Sequence, residues 1–300
     1  QQWHALKDYA NERGVQLFGD MPIFVAHDSA DVWANPELFT LDKAGQAEKV
    51  AGVPPDYFSE TGQRWGNPLY RWEKHVDENF LWWQQRVQTQ LELFDIIRID
   101  HFRGFEACWE IPASCETAMD GEWVKAPGDA LFAQLIKAFG ELPLVAEDLG
   151  IITDEVTALR EKYAMPGMKI LQFAFGDDAS NPYLPHQHTQ DSVSYTGTHD
   201  NNTTLGWFEE LDDNSKTRIY EYLGGSQETI PWLLIRASLA SVSQLSVLPM
   251  QDLLALDGEH RMNVPGTTEG NWSWRFDWDM VDETCSLRLK NLNKLYGRCK

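Results

Sequence analysis

Six acidic residues stand at or near the ends of short apolar runs: Asp20, Asp100, Glu147, Asp148, Asp200 and Asp252. A pair of carboxyl groups is enough for chemistry on a glycosidic bond. One protonates the leaving oxygen. The other attacks as a nucleophile at about 5–5.5 Å, or activates water at about 6.5–9.5 Å. Such a pair needs two strands, because neighbours along one strand alternate faces. Asp100 and Glu147 end consecutive runs and meet this need. Arg98 precedes Asp100 by two residues and so shares its face, where it can orient a carboxylate and hold its charge.

Other uses of the same residues stay open. Strand-end carboxylates also cap helices, pair with Arg or ligate metals through oxygen; Asp148 and Asp154 suit capping. His101 and His199 flank two of the runs. A lone His is more often structural than catalytic, but His199 beside Asp200 is placed to donate to a sugar hydroxyl. No HExxH, GxSxG, GxGxxG or GxxxxGK[ST] pattern occurs.

The elements that must position these groups alternate along the chain. Apolar runs at 15–25, 94–100, 142–148, 168–175, 192–200 and 245–252 read as strands. Helix-period patterns lie at 3–13, 71–93, 129–139, 154–163, twice or more in 203–240, and at 283–296. Buried strands separated by helices imply an α/β fold with a parallel sheet. Acidic residues at the strands' C-terminal ends favour a TIM (β/α)8-type barrel over a doubly wound sheet, which would usually carry a glycine-rich phosphate loop. Six strands are visible where a barrel has eight. The expectation is therefore one catalytic barrel over 1–300, lacking its first two strands and N-terminally incomplete. Long inserted loops are expected at about 26–70 and 253–280. The first contains GVPPDYFSETGQRWGNPLY and the second ends GNWSWRFDW. Loops this long are commonly functional.

Composition narrows the partners. The 300 residues carry 46 Asp+Glu against 25 Lys+Arg, a formal net charge of −21, which disfavours nucleic acid and anionic membrane surfaces. No run approaches a membrane span. Thirteen Trp exceed what core packing needs and hint at flat platforms for sugar rings, although Trp82, Trp83 and Trp109 read as packing. Cys108, Cys115, Cys285 and Cys299 have no metal-binding spacing and read as free thiols of a reducing compartment.

Three segments then carry a resemblance. RIDHFRG (98–104), AEDLG (146–150) and YTGTHDN (195–201) resemble the catalytic strand ends of the 4-α-glucanotransferases. This family, also called amylomaltase or disproportionating enzyme, is a branch of the α-amylase superfamily. The loop at 52–70 and PGTTEGNWSWR (265–275) are similar to the family's groove loops. The resemblance spans nearly the whole chain. It implies Asp100 as the nucleophile, Glu147 as general acid/base and Asp200 as a third carboxylate that holds sugar hydroxyls. It implies that Arg98 and His199 position the nucleophile and the sugar, and that Asp20, Asp56, Tyr57, Phe58, Gln63, Trp65, His101 and Asn271 contact substrate. The implied reaction is retaining transfer between α-1,4-glucans with no cofactor and no metal, in the cytoplasm or a plastid. The residues alone do not separate transfer from hydrolysis, or from a non-catalytic glucan-binding piece. An aromatic lid of Tyr57, Phe58 and Trp65 that excludes water would favour transfer.

Overall fold

The structure is a computed structural model that describes residues 1–56, 59–225 and 228–299. The chain divides into two compact units, Gln1–Gly167 and Met168–Lys300. Tyr57 and Phe58 lie outside the described residues.

The first unit contains β1 (Phe18–Met21), β2 (Lys49–Val53), β3 (Gln63–Pro68), β4 (Ile96–Ile99), β5 (Ala107–Pro112), β6 (Glu122–Lys125) and β7 (Leu144–Ala146). One sheet has the order β1-β4-β7, with both pairings parallel. Its strands are apolar because both faces are covered: Ile97, Ile99, Leu144 and Ala146 are buried. The register sets Asp20 of β1 beside Arg98 of β4. Asp20 thus lies within its strand, one residue before the end. The helix Leu81–Leu93 leads into β4, and Gly128–Phe139 leads into β7.

A second sheet corrects the reading of 52–70 as an irregular loop. It runs β3-β2-β5-β6, antiparallel throughout. The period-2 signal is broken where the β2–β3 register shifts between Val50 and Gly52. A Cβ on Gly52 would approach the Gln63 carbonyl oxygen to 2.2 Å, so the strands close together only with glycine there. The helix expected at 71–93 is also two helices, Trp72–Asp77 and Leu81–Leu93. Asn79 and Phe80 adopt positive φ (53° and 58°) and turn the chain between them.

Much of the tryptophan belongs to this unit's core. The rings of Phe39, Trp72, His75, Trp82 and Trp83 lie 5.0 to 5.6 Å from the Tyr70 ring. The Tyr70 hydroxyl donates to the Ile23 carbonyl at 2.5 Å and accepts from Arg86 at 3.1 Å. Its phenol is therefore satisfied inside an apolar cluster.

The second unit contains the remainder of β8 (Gly167–Ile170), then β9 (Ser192–Tyr195) and β10 (Leu245–Val247), in the order β10-β9-β8. β9 and β10 pair in parallel. The 203–240 region forms three helices, Thr204–Glu210, Asp213–Leu223 and Ile230–Ala240. Two runs are strand only in their first half. After Ile170 the chain winds into a 3-10 turn, Leu171–Phe173. After Val247, Pro249 precedes the helical turn Met250–Leu253, which carries Asp252. Proline lacks the N–H a ladder needs and presets a helical start. Leu171, Leu184, Ile219 and Leu234 centre the unit's core.

Among the described residues no helix is long and apolar enough to cross a membrane. Cys108, Cys115, Cys285 and Cys299 are free thiols.

Candidate active site

In the first unit one guanidinium organises two carboxylates. Arg98 donates through Nε and Nη2 to the two oxygens of Asp20, at 2.9 and 2.8 Å. Nη2 also donates to Asp100 Oδ1 at 2.9 Å. The fork matches a carboxylate and leaves one N–H face for the second anion. Arg98 is only 8% exposed. Burial works against its charge, but the hydrogen bonds and charge of Asp20, then the charges of Asp100 and Glu147, overcome that and raise its pKa. It stays a cation at any working pH.

Backbone ties hold the turn after β4. The Asp100 amide donates to the Met21 carbonyl at 3.0 Å. The Phe102 amide donates to the Glu147 carbonyl at 3.0 Å, and the Glu147 amide to Ile99 at 2.9 Å. Between them His101 adopts φ +49°, a left-handed conformation that costs a β-carbon residue roughly 1–2 kcal/mol. The twist aims the His101 amide at the Glu147 side chain, Oε2 at 2.6 Å. A partner of this kind offsets the strain.

Glu147 has the environment of a proton donor. Burial, then the charge of Asp100, push its pKa up to about 8, against the opposing pull of Arg98 and the His101 amide. The arrangement thus contains one carboxylate tied to a fixed cation and one carboxyl held protonated near neutral pH, the division of labour that acid-assisted displacement needs.

An aromatic wall stands beside this pair. The Trp65 ring meets the His101 ring edge-on at 4.7 Å, and Phe24 lies 6.4 Å from each of them. Burial, then the Arg103 charge, lower the His101 pKa to about 3, so its ring is neutral and part of the wall. Gln63 accepts from the Trp65 indole at 3.1 Å and steadies it. Asp56 accepts from the Ser59 amide at 2.9 Å. Asp148 points to structure: it lies 3.3 Å from Arg160 and against Gly167, where any Cβ would strike it. Asp154 starts the helix Asp154–Lys162, with Thr153 in the cap position.

In the second unit Asp200 is held from three sides. Asn263 donates to its Oδ1 at 2.6 Å, His199 Nε2 lies 3.3 Å from its Oδ2, and Arg261 donates to its backbone carbonyl at 3.1 Å. The His199 ring faces Trp272 at 5.0 Å. Asn271 uses its amide within its own loop, accepting from Val264 and donating to Thr267. It braces the segment that presents Trp272.

Asp252 has a different role from the other strand-end acids. It is buried and accepts from Thr196 Oγ1 (2.5 Å), Thr204 Oγ1 (2.7 Å) and the Thr204 amide (2.8 Å). Thr196 follows β9 and Thr204 opens the next helix, so Asp252 clamps both ends of the loop that carries His199 and Asp200. Asp252→Ala would orphan two hydroxyls and an amide. We expect a loss of about 3 kcal/mol of stability, read as a lower denaturation midpoint. A midpoint within error of the parent would mean the loop does not depend on the clamp.

Phe24, Asn263, Arg261 and Asp252's threonine partners were not legible as site residues. Phe24 and Thr196 lie on runs read as strands, but the part each plays, like those of Thr204, Arg261 and Asn263, is set by a tertiary hydrogen bond or ring contact that no local pattern announces. Among the described residues no three His, Cys, Asp or Glu side chains are grouped to hold a metal ion.

Comparison with known proteins gives this geometry its context. A 4-alpha-glucanotransferase family profile matches residues 1–280. The 4-alpha-glucanotransferase of Thermus thermophilus is 56% identical over 91% of this chain and 56% of its own length. That of Synechocystis is 52% identical over 99% of this chain and 60% of its own. The solved amylomaltase from Streptococcus agalactiae, in complex with acarbose, matches all of this chain and 61% of its own, at 43% identity and a TM-score of 0.97. The chain therefore spans somewhat over half the length of these relatives. On the strength of these matches, the chain belongs to the 4-alpha-glucanotransferase family.

Proposed function

We propose that the chain transfers 4-α-glucan segments between maltooligosaccharides or starch-type glucans with retention of configuration. Asp100 attacks C1 of the donor sugar as Glu147 delivers its proton to the departing glycosidic oxygen. The C1–O4 bond breaks and a β-glucosyl ester of Asp100 forms. An acceptor's 4-hydroxyl then attacks C1 while the Glu147 carboxylate takes its proton, and Asp100 leaves as a carboxylate. Asp200 and His199 hold sugar hydroxyls, and Asp20 keeps Arg98 in place. Asp56, Tyr57, Phe58, Gln63, Trp65, His101 and Asn271 belong to the binding groove or support it.

The observation that carries this reading is the unequal treatment of two carboxyls by one turn. Arg98 binds Asp100 at 2.9 Å, whereas Glu147 is raised to about 8. Transfer is favoured over hydrolysis by the apolar wall of Phe24, Trp65 and His101, which limits water at the intermediate. The two three-stranded sheets are read as six strands of a TIM (β/α)8-type barrel, with 1–300 as one catalytic module. The free cysteines support a reducing compartment, cytoplasm or plastid.

Incubation with maltotriose tests the reading. Glucose together with a ladder of longer maltooligosaccharides is expected, with total reducing ends constant. A rise in reducing ends without longer products would establish hydrolysis instead. Binding without turnover would leave a glucan-binding piece.

A further inference from the structure

β1 ends at Met21, and the chain beyond it must satisfy its backbone without a sheet. Pro22 has no N–H to offer a ladder. Ile23 and Phe24 are nonetheless buried, so the carbonyls of this stretch need donors from elsewhere.

Side chains of other elements supply them. Arg86, on the helix Leu81–Leu93, donates through Nη2 to the Pro22 carbonyl at 2.5 Å and through Nη1 to the Ile23 carbonyl at 3.1 Å. The Tyr70 hydroxyl donates to the same Ile23 carbonyl and accepts from Arg86. Asn67 of β3 donates to the Val25 carbonyl at 3.1 Å. The planar fork of arginine suits it to bridge two carbonyls and a phenol at once. Its guanidinium lies over the Trp82 and Trp83 rings, 5.3 and 5.2 Å from their centroids, which fixes it in turn. Burial raises the Tyr70 pKa, so the phenol stays protonated and donating. Ile23 also packs against the turn after β4, where a Cβ on Gly104 would stand 2.6 Å from its Cδ1.

Phe24 is the ring that this brace presents. It stacks on Tyr70 at 6.0 Å, with planes 24° apart. It also stands 6.4 Å from the His101 ring, and the His101 amide holds Glu147. A continuous line of contacts therefore runs from Arg86 through the Ile23 carbonyl to a ring beside the carboxyl pair. Arg86 bonds backbone and phenol, so its part in the reaction passes through Phe24. A loosened Phe24 matters more to water than to sugar. Water needs only a one-molecule gap, whereas an acceptor sugar brings its own apolar face to the wall.

We infer that Arg86 and Tyr70 are positioning residues that set how the glucosyl intermediate divides between acceptor sugar and water, by locking Phe24 into the wall beside Glu147. The inference rests on the transfer reading above and extends it from the wall to the groups that hold it. In the water branch, water adds to C1 as Glu147 takes one of its protons. The ester bond to Asp100 breaks, Asp100 leaves as a carboxylate, and a new reducing end is released.

The ratio of new reducing ends to longer products from maltotriose measures this division. Both come from the same active sites, so any loss of folded enzyme cancels. Arg86→Ala is expected to raise the ratio about tenfold over the parent. Tyr70→Phe keeps the ring, removes one hydrogen bond and should raise it about threefold. Should Arg86→Ala fail to fold, Tyr70→Phe decides alone. Val87→Ala lies on the same helix and is buried in the core; it weakens packing without touching these bonds and should keep the parent's ratio. Phe24→Leu should raise the ratio by itself, and Arg86→Ala added to it should raise it no further. An equal rise in Val87→Ala, or effects of Arg86→Ala and Phe24→Leu that multiply, would overturn the brace. A parent that makes a ladder at a ratio indifferent to Arg86→Ala and Tyr70→Phe would overturn the brace alone. A parent that makes no ladder would overturn the transfer reading and the brace with it.

Discussion

Asp100→Asn is expected to reduce glucan transfer by about 10⁴-fold or more, with the folded chain intact. An amide neither attacks C1 nor leaves as a stable anion, so both half-reactions fail together. A loss of 10⁴-fold corresponds to roughly 5.5 kcal/mol of transition-state stabilisation. The structural cost is small by comparison. Arg98 keeps both hydrogen bonds to Asp20, at 2.9 and 2.8 Å, and loses only a charged acceptor that is 40% exposed. A partly exposed ion pair contributes about 1 kcal/mol at most. The amide oxygen of Asn can still accept from Nη2. Initial rates on maltotriose and a denaturation curve on the same preparation separate the two effects. Retention of a tenth of the activity by a folded variant would remove Asp100 from the nucleophile's role. Loss of activity together with several kcal/mol of stability would recast it as a structural partner of Arg98.

The residues that carry this expectation were legible because strand chemistry is local. Arg98 and Asp100 share a face by period two, and the apolar run before them announces a strand buried on both sides. Apolar runs likewise marked Glu147 and Asp200 as candidates, although Asp200 stands five residues beyond the end of β9 at Tyr195. The same logic misplaced Asp252, because an acid after an apolar run looks the same whether the run ends in a loop or in a helical turn behind Pro249. The antiparallel sheet was missed for a related reason. β2 carries a register shift and a glycine that must be glycine, and both erase the alternation by which a strand is recognised. The left-handed turn at His101 has no sequence signal, since most such positions are glycine. Yet that turn brings an amide to Glu147, so a central electrostatic detail of the site is tertiary in origin. The tryptophan count also divides. Trp72, Trp82 and Trp83 satisfy the core around Tyr70, whereas Trp65 stands in the wall beside the paired carboxyls and Trp272 faces His199.

Glu147→Gln is expected to slow transfer between maltooligosaccharides by about 10³-fold, within the range for losing a positioned proton donor. Its fold should survive, because the Gln amide oxygen can still accept from the His101 amide that now bonds Oε2 at 2.6 Å. The defect should shrink for a donor with a leaving group that needs no proton, such as an α-glucosyl fluoride, since only protonation has been removed. The pH profile supplies an independent reading. With a pKa of about 8, the parent loses its proton donor as pH rises through that value, so its rate falls on the alkaline side. Glu147→Gln has no such limb. Stability follows the same sign. Below the ordinary carboxylate pKa of 4.5 folded and unfolded states both hold the proton. As pH rises toward 8 only the folded state holds it, so the parent loses stability across that interval. The full linkage would be about 1.4 kcal/mol per pKa unit; allowing for the partial exposure of Glu147, roughly 2 kcal/mol is expected. At pH 9 the Gln variant should therefore melt several degrees above the parent, by about 2–4 °C per kcal/mol, and near it at pH 5. Rates and melting curves at those two pH values decide the matter. If the variant keeps the parent's alkaline limb and the same melting difference at both, the proton belongs to another group and Glu147 is not the acid.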